Sequence, residues 1–255
     1  MRWVAALLLL ALPAAAEVVD VELVFAVDTS RSMDYDEQVV QREGYAEALS
    51  DPAVFEAIRS GPHRKIVIAY FEWGGPWSHR TVLDWTMIAT REDALAAAAA
   101  LRAVPIESSS GTSISGGLSR AAEMIDSNGY EGLRRVIDIS GDGPNNTGDP
   151  VTPVRDLLVA RGFEINGLPV MVKRAGGLFN LDQLDIYYED CVIGGPAAFV
   201  VPIRSKEEFA PSIRRKMVLE ITGIGPGPKL RAAQTSDCLV GEKLRRQWLE
   251  LQGGG

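Results

Sequence analysis

The sequence predicts an α/β domain: one doubly wound, mostly parallel sheet of six strands, with helices on both faces and one antiparallel edge strand. Three observations predict it. Apolar runs of strand length alternate along the chain with segments of helical length. Several runs are apolar almost without interruption, as strands covered on both faces are. Finally, Gly74-Gly75-Pro76 separates two runs by a turn too short for a crossover, which makes that pair an antiparallel hairpin.

The elements follow in order. Val18 to Val27 is β-branched and nearly all apolar, a first buried strand. Asp34 to Arg59 reads as helical, with a break at Asp51-Pro52 and a stop at Gly61-Pro62. Lys65 to Trp73 is the second strand, and Ser78 to Ile88 returns beyond the turn as the third. Arg91 to Ala103 is an Ala-rich helix. The polar loop Ser108 to Thr112 precedes a helix from about Ser113 to Ser127, closed by Asn128-Gly129. Arg134 to Ser140 is the fourth strand and runs into Gly141-Asp142-Gly143-Pro144. Pro150 to Arg161 is helical, Ile165 to Val172 is the fifth strand, and Ala197 to Ile203 is the sixth. Leu178 to Glu189, between them, is irregular or helical, and Lys206 to Ile221 is the last strong helix. Residues 17–221 thus form the domain, and 222–255 a tail with Gly225-Pro226-Gly227-Pro228 and a basic, amphipathic end.

Composition limits the functions open to this fold. Hydrophobic residues make up 46% and charged residues 24% of 255, which excludes a disordered or collagen-like chain. A net charge of −8 argues against nucleic acid and against an anionic membrane surface, since no basic stripe is available to displace counterions. The chain opens with Arg2, an apolar run from Val4 to Leu12 and the small residues Ala14-Ala15-Ala16. That order is a secretory signal peptide over residues 1–16, and the run is too short to span a hydrocarbon core of about 30 Å. The expected product is exported, periplasmic or secreted. In an oxidising compartment Cys191 and Cys238 make one disulfide.

The residues that carry chemistry are Asp28-Thr29-Ser30-Arg31-Ser32, directly after the first strand. A carboxylate and two hydroxyls at alternating positions offer hard oxygen donors, suited to Mg2+, Mn2+ or Ca2+. Ligand sites of parallel sheets lie at the carboxyl ends of their strands. Tracing the chain with right-handed crossovers brings the Ser108–Thr112 loop and Asp142 to that same end. Asp28, Ser30, Ser32, Thr112 and Asp142 therefore converge from three loops. Taken singly, Asp28 and the serines suit a helix cap, and Asp142-Gly143 a turn. Matched places in three loops favour a common site.

With these three parts, DTSRS, SGTSISGGL and ISGDG, the sequence resembles the von Willebrand factor A-type family, integrin inserted domains included, over most of residues 18–221. Within that family it is most similar to exported bacterial proteins with this domain and little else. The resemblance implies a metal-ion-dependent adhesion site. Ser30, Ser32 and Thr112 supply hydroxyl oxygens to a divalent cation, and Asp28 and Asp142 contribute charge, often through metal-bound water. It also implies an open coordination position that takes a carboxylate from a protein or peptide partner.

Other features are weaker. Trp73 and Trp77 bracket the hairpin turn on the same rim, as contact anchors or as cover for the sheet edge. His63 and His79 lack clustered partners in the sequence, and Asn145-Asn146-Thr147 fits an N-glycosylation site that matters only in a eukaryotic route. The tracing places both cysteines low, so the disulfide is expected to pin the tail to the face opposite the metal, and reduction to loosen the tail without abolishing metal binding. The leading reading is a non-enzymatic, cation-dependent binding module. A Mg2+-dependent phosphohydrolase of haloacid-dehalogenase type needs a second Asp two residues after the first, and Ser30 stands there. A serine hydrolase lacks G-x-S-x-G and a placed histidine base. A structural envelope protein without metal is the third alternative.

Overall fold

The computed structural model describes residues 16–172, 181–225 and 236–253. The expected signal peptide, but for Ala16, and the Gly225–Pro228 turn, but for Gly225, lie outside the described residues. Five strands form one sheet: β1 (Glu17–Asp28), β2 (Ile66–Trp73), β3 (His79–Ile88), β4 (Tyr130–Gly141) and β5 (Phe163–Pro169), in the order β3-β2-β1-β4-β5. All neighbours are parallel except β2 and β3, the expected hairpin. Strand β1 is central, and from Val19 to Asp28 every residue is buried. Its residues alternate between two cores, because successive side chains point to opposite faces. Leu23, Phe25 and Val27 face one core, and Val24 and Ala26 the other.

Helices α1 (Tyr35–Ser50), α2 (Pro52–Arg59) and α3 (Arg91–Ala103) cover the first face together with α7 (Phe209–Thr222). Helices α4 (Ile114–Asp126) and α5 (Val151–Ala160) cover the second. There they are joined by the short α6 (Leu184–Tyr187), which runs on into a π-helical turn at Tyr188–Val192. The expected break between α1 and α2 is present: Asp51 accepts from the Ala53 N–H at 2.8 Å and Pro52 opens α2, where its missing N–H costs nothing. Helix α8 (Val240–Gly253) ends the described chain. No described helix is long and apolar enough to cross a membrane.

The sixth strand is corrected. Residues 197–203 run beside β5 but make only isolated bridges, Gly167 with Val200 and Val170 with Ile203. Pro169 explains the gap: Gly167 and Met171 donate across to this segment, and Pro169 between them lacks the N–H that a continuous ladder needs.

Candidate metal centre

Strand β1 delivers Asp28 fully buried at its carboxyl end. Asp28 Oδ1 accepts the Ser30 N–H at 2.7 Å, which curls the chain so that the next side chains turn inward. Ser30 Oγ then lies 2.8 Å from Ser32 Oγ, and Ser32 Oγ donates to Asp142 Oδ1 at 2.6 Å. Three of the predicted oxygens thus form one chain leading from a floor at Asp28 to a mouth at Ser32, which is exposed. The loop before α4 is zipped to the same curl: Ser109 N–H donates to the Thr29 carbonyl at 2.7 Å, and Arg31 N–H to the Ser109 carbonyl at 3.0 Å. Thr112 is buried in that loop and is held by Asn146. The Asn146 N–H donates to the Thr112 carbonyl at 2.9 Å, and the Thr112 N–H to Asn146 Oδ1 at 3.3 Å.

The structure removes the cap reading of these residues. Helix α1 is capped by Asp34, whose carboxylate accepts from Glu37 N–H while Glu37 returns a bond to the Asp34 N–H. Asp28, Ser30 and Ser32 play no part in that cap. They stay oriented because α1 sends two glutamines back to them. Gln41 Nε2 donates to the Asp28 carbonyl at 3.1 Å, and Gln38 Nε2 to that of Met33 at 3.1 Å.

Electrostatically the floor is a carboxylate that meets hydrogen-bond donors but no counter-charge. Asp28 Oδ2 is buried and has no hydrogen-bond partner. Burial first, and the negative charge of Asp142 second, push the Asp28 carboxyl well above the usual carboxylate range. A Cβ on Gly141 would stand 2.9 Å from both Asp28 Oδ2 and the Tyr188 hydroxyl, so glycine leaves the space above that oxygen open. An orphaned buried carboxylate oxygen, two hydroxyls and a second carboxylate fit a hard divalent cation. Among the described residues no three His, Cys, Asp or Glu side chains cluster as a metal site, so a cation held here would depend on the hydroxyls.

The comparisons with known proteins identify the family and the fold. The profile of a family described as "Protein of unknown function (DUF1194)" matches residues 17–225. The chain belongs to that family. Its fold is that of von Willebrand factor A domains. The von Willebrand factor type A protein from Catenulispora acidiphila is 17% identical with a TM-score of 0.55, over 80% of this chain and 43% of that one. The pilus adhesin SpaC from Lactobacillus rhamnosus GG is 12% identical with a TM-score of 0.60, over 82% of this chain and 32% of that one. Proximal thread matrix protein 1 from the mussel byssus, described "with zinc occupied MIDAS motif", is 14% identical with a TM-score of 0.55, over 82% and 49%. The chain therefore spans about a third to a half of the length of these proteins. No curated protein matches it in sequence.

Not every expected residue of this DUF1194 chain lies where the sequence suggested. Trp73 is corrected: it is 1% exposed and packs with Ile114 and Leu118, while Trp77 at the turn is 95% exposed. The alternation of Ala69, Phe71 and Trp73 on one side of β2 was the available signal. Among the described residues His63 and His79 join no metal-ligating cluster, and His79 packs edge-on against Phe71. Asn145 is fully buried and hydrogen-bonded, which removes it as a glycosylation acceptor. Cys191 and Cys238 are bonded to each other, with Cα atoms 5.4 Å apart.

The expectation that this bond holds the tail opposite the metal is corrected as well. Cys191 lies in the π-turn, three residues after Tyr188, and the tail beyond Cys238 climbs until Glu242 meets Asn145 beside the site. Sequence reasoning also missed Tyr188. Its buried hydroxyl has no hydrogen-bond partner, and burial first, then the charge of Asp28, hold it in the neutral phenol form.

Proposed function

We propose that this chain is an exported, divalent-cation-dependent binding module whose adhesion site grips a carboxylate of a protein or peptide partner. The observation that carries the reading is the buried, unpartnered Asp28 Oδ2 beneath converging hydroxyl and carboxylate oxygens. Asp28, Ser30, Ser32, Thr112 and Asp142 would hold the cation. The hard donors favour Mg2+, with Mn2+ or Ca2+ as substitutes. When bound, the cation supplies positive charge at the mouth, and two site carboxylates leave it able to attract a third from outside. Asp28 binds it in ionised form, Gln38 and Gln41 keep the curl in place, and Asn146 sets Thr112 opposite.

The Cys191–Cys238 bond supports export, because such bonds persist in oxidising compartments. The signal-peptide pattern of residues 1–16 supports it independently. An adhesin among the structures sharing the fold supports the partner class. The phosphohydrolase alternative still lacks its general acid, since an alcohol, Ser30, stands where a carboxyl is needed.

Calorimetric titration of Mg2+ and Mn2+ tests the reading. Wild type should bind one cation, Asp28→Ala none, and Thr112→Ala roughly tenfold more weakly, as for loss of a ligand worth about 1.4 kcal/mol. Capture of a partner should disappear in EDTA. Wild type without cation binding, or phosphate-ester turnover that Asp28→Ala abolishes, would overturn the proposal.

A further inference from the structure

Helix α8 comes unusually close to the loop that follows β4. A Cβ on Gly241 would stand 2.0 Å from the Asn145 carbonyl oxygen, so only glycine permits the approach. One residue on, Glu242 Oε1 accepts from Asn145 Nδ2 at 2.7 Å, while Glu242 Oε2 is buried without a hydrogen-bond partner. A buried acceptor without a partner costs free energy, and the bond from Asn145 to Oε1 acts against that cost.

Asn145 is a junction. Its Nδ2 also donates to the Asp149 carbonyl at 3.0 Å, its Oδ1 accepts from Ser115 N–H at 3.1 Å, and its N–H donates to the Tyr187 hydroxyl at 3.2 Å. The next residue, Asn146, holds Thr112 by two bonds, and Asp142 lies three residues upstream. Both arms of the Cys191–Cys238 bond lead to this junction. From Cys191 the chain runs back through Tyr188 and Tyr187, and from Cys238 it runs on to Gly241 and Glu242.

We propose that α8, tied down by the Cys191–Cys238 bond, is a strap that positions the cation site, with Glu242 as its positioning residue. The proposal rests on the cation reading above. The crosslink raises the effective concentration of Glu242 at Asn145, and the fixed Asn145–Asn146 pair holds Asp142 and Thr112 at their places. Cation affinity is then coupled to the oxidation state of the tail. A dithiol reductant supplies two electrons and two protons; the S–S bond opens to two thiols, and the reductant closes to its own disulfide. The strap is released and the site loosens.

The test uses the full chain as wild type, Glu242→Ala, Glu242→Gln, the double Cys191→Ser/Cys238→Ser variant, and Glu250→Ala as an exposed control on α8. Mn2+ affinity is read by calorimetry, and amide exchange of residues 141–147 by mass spectrometry in EDTA. Glu242→Ala and the double serine variant should bind Mn2+ roughly tenfold more weakly, a typical coupling between sites. Both should exchange the Asn145 and Asn146 amides faster. Glu242→Gln keeps an acceptor oxygen and should stay near wild type, as should Glu250→Ala. Wild-type affinity and protection in Glu242→Ala and in the double variant would overturn the strap. A wild type that binds no Mn2+ would instead sink the cation reading. The exchange arm, measured without metal, then judges the strap separately, and unchanged protection removes it.

Discussion

Two groups of buried carboxylates sit on neighbouring strands and are treated in opposite ways. On the face covered by α1 and α7, Asp138 of β4 and Glu220 of α7 share the fully buried Lys216, whose Nζ is 2.8 Å from Asp138 Oδ1 and ion-paired with Glu220. At the carboxyl end of β1, Asp28 is as completely buried, yet it is met by the Ser30 N–H, and one of its oxygens meets no donor. The first group is shut inside the core, where no ion from solvent arrives, so the chain carries its own cation. The second opens at Ser32 and Asp142, where a cation can enter. The contrast separates a charge cluster closed in the core from one that, in the proposed reading, serves binding.

Removing the internal cation should have the largest effect. Lys216→Met keeps the length of the side chain and strands Asp138 and Glu220 together without a counter-charge. Stability should fall by about 3–5 kcal/mol, the usual cost of breaking a buried pair. Urea unfolding measures it, and added Mg2+ should not restore it, because this cluster is closed to solvent. Recovery by Mg2+ would erase the distinction between the two groups.

A pH series makes a smaller, signed test. Burial first, and the charge of Asp138 next, push Glu220 up to about 8 despite Lys216. A carboxyl raised in the folded state binds its proton more tightly there than in the unfolded chain. Its contribution is therefore fully present below the ordinary range near 4.5 and is lost as pH rises through about 8. Metal-free protein should lose stability from pH 5 to 8, and Glu220→Gln should flatten that loss, followed by thermal unfolding. Asp138 and Asp28, both raised by burial, supply a residual slope of the same sign.

The two groups were not equally legible in the sequence. The candidate site was readable because its residue types fall in order at strand ends, and strand ends can be counted. DTSRS, Thr112 and Asp142 needed only the alternation of strands and helices and the handedness of crossovers. The closed cluster gave no such sign. Lys216 stands beside Arg214 and Arg215, and a Lys–Glu pair four residues apart is ordinary on an exposed helix surface. Only packing of α7 on β4 reveals its burial. Counting also failed beyond β5. There the chain enters α6 and a π-turn instead of a plain crossover, and Pro169 interrupts the pairing of β5 with residues 197–203. That is why the tail was expected on the wrong face.

The smallest effect gives the sharpest test, because its sign depends on the medium. Asp28→Asn removes the charge while keeping the shape and the acceptor for the Ser30 N–H. In EDTA the wild type holds a desolvated carboxylate beside Asp142, so the amide should raise stability by about 1 kcal/mol at neutral pH. With saturating Mg2+ the order should reverse, because wild type gains RT ln(1 + [L]/Kd), about 2.7 kcal/mol at one hundred times Kd, and the variant gains nothing. Thermal shifts of both proteins, with and without Mg2+, give four numbers whose crossing is the signature of a site built for an external cation. A variant less stable than wild type in both media would make Asp28 a structural residue like Asp138. The two groups would then differ in position but not in purpose.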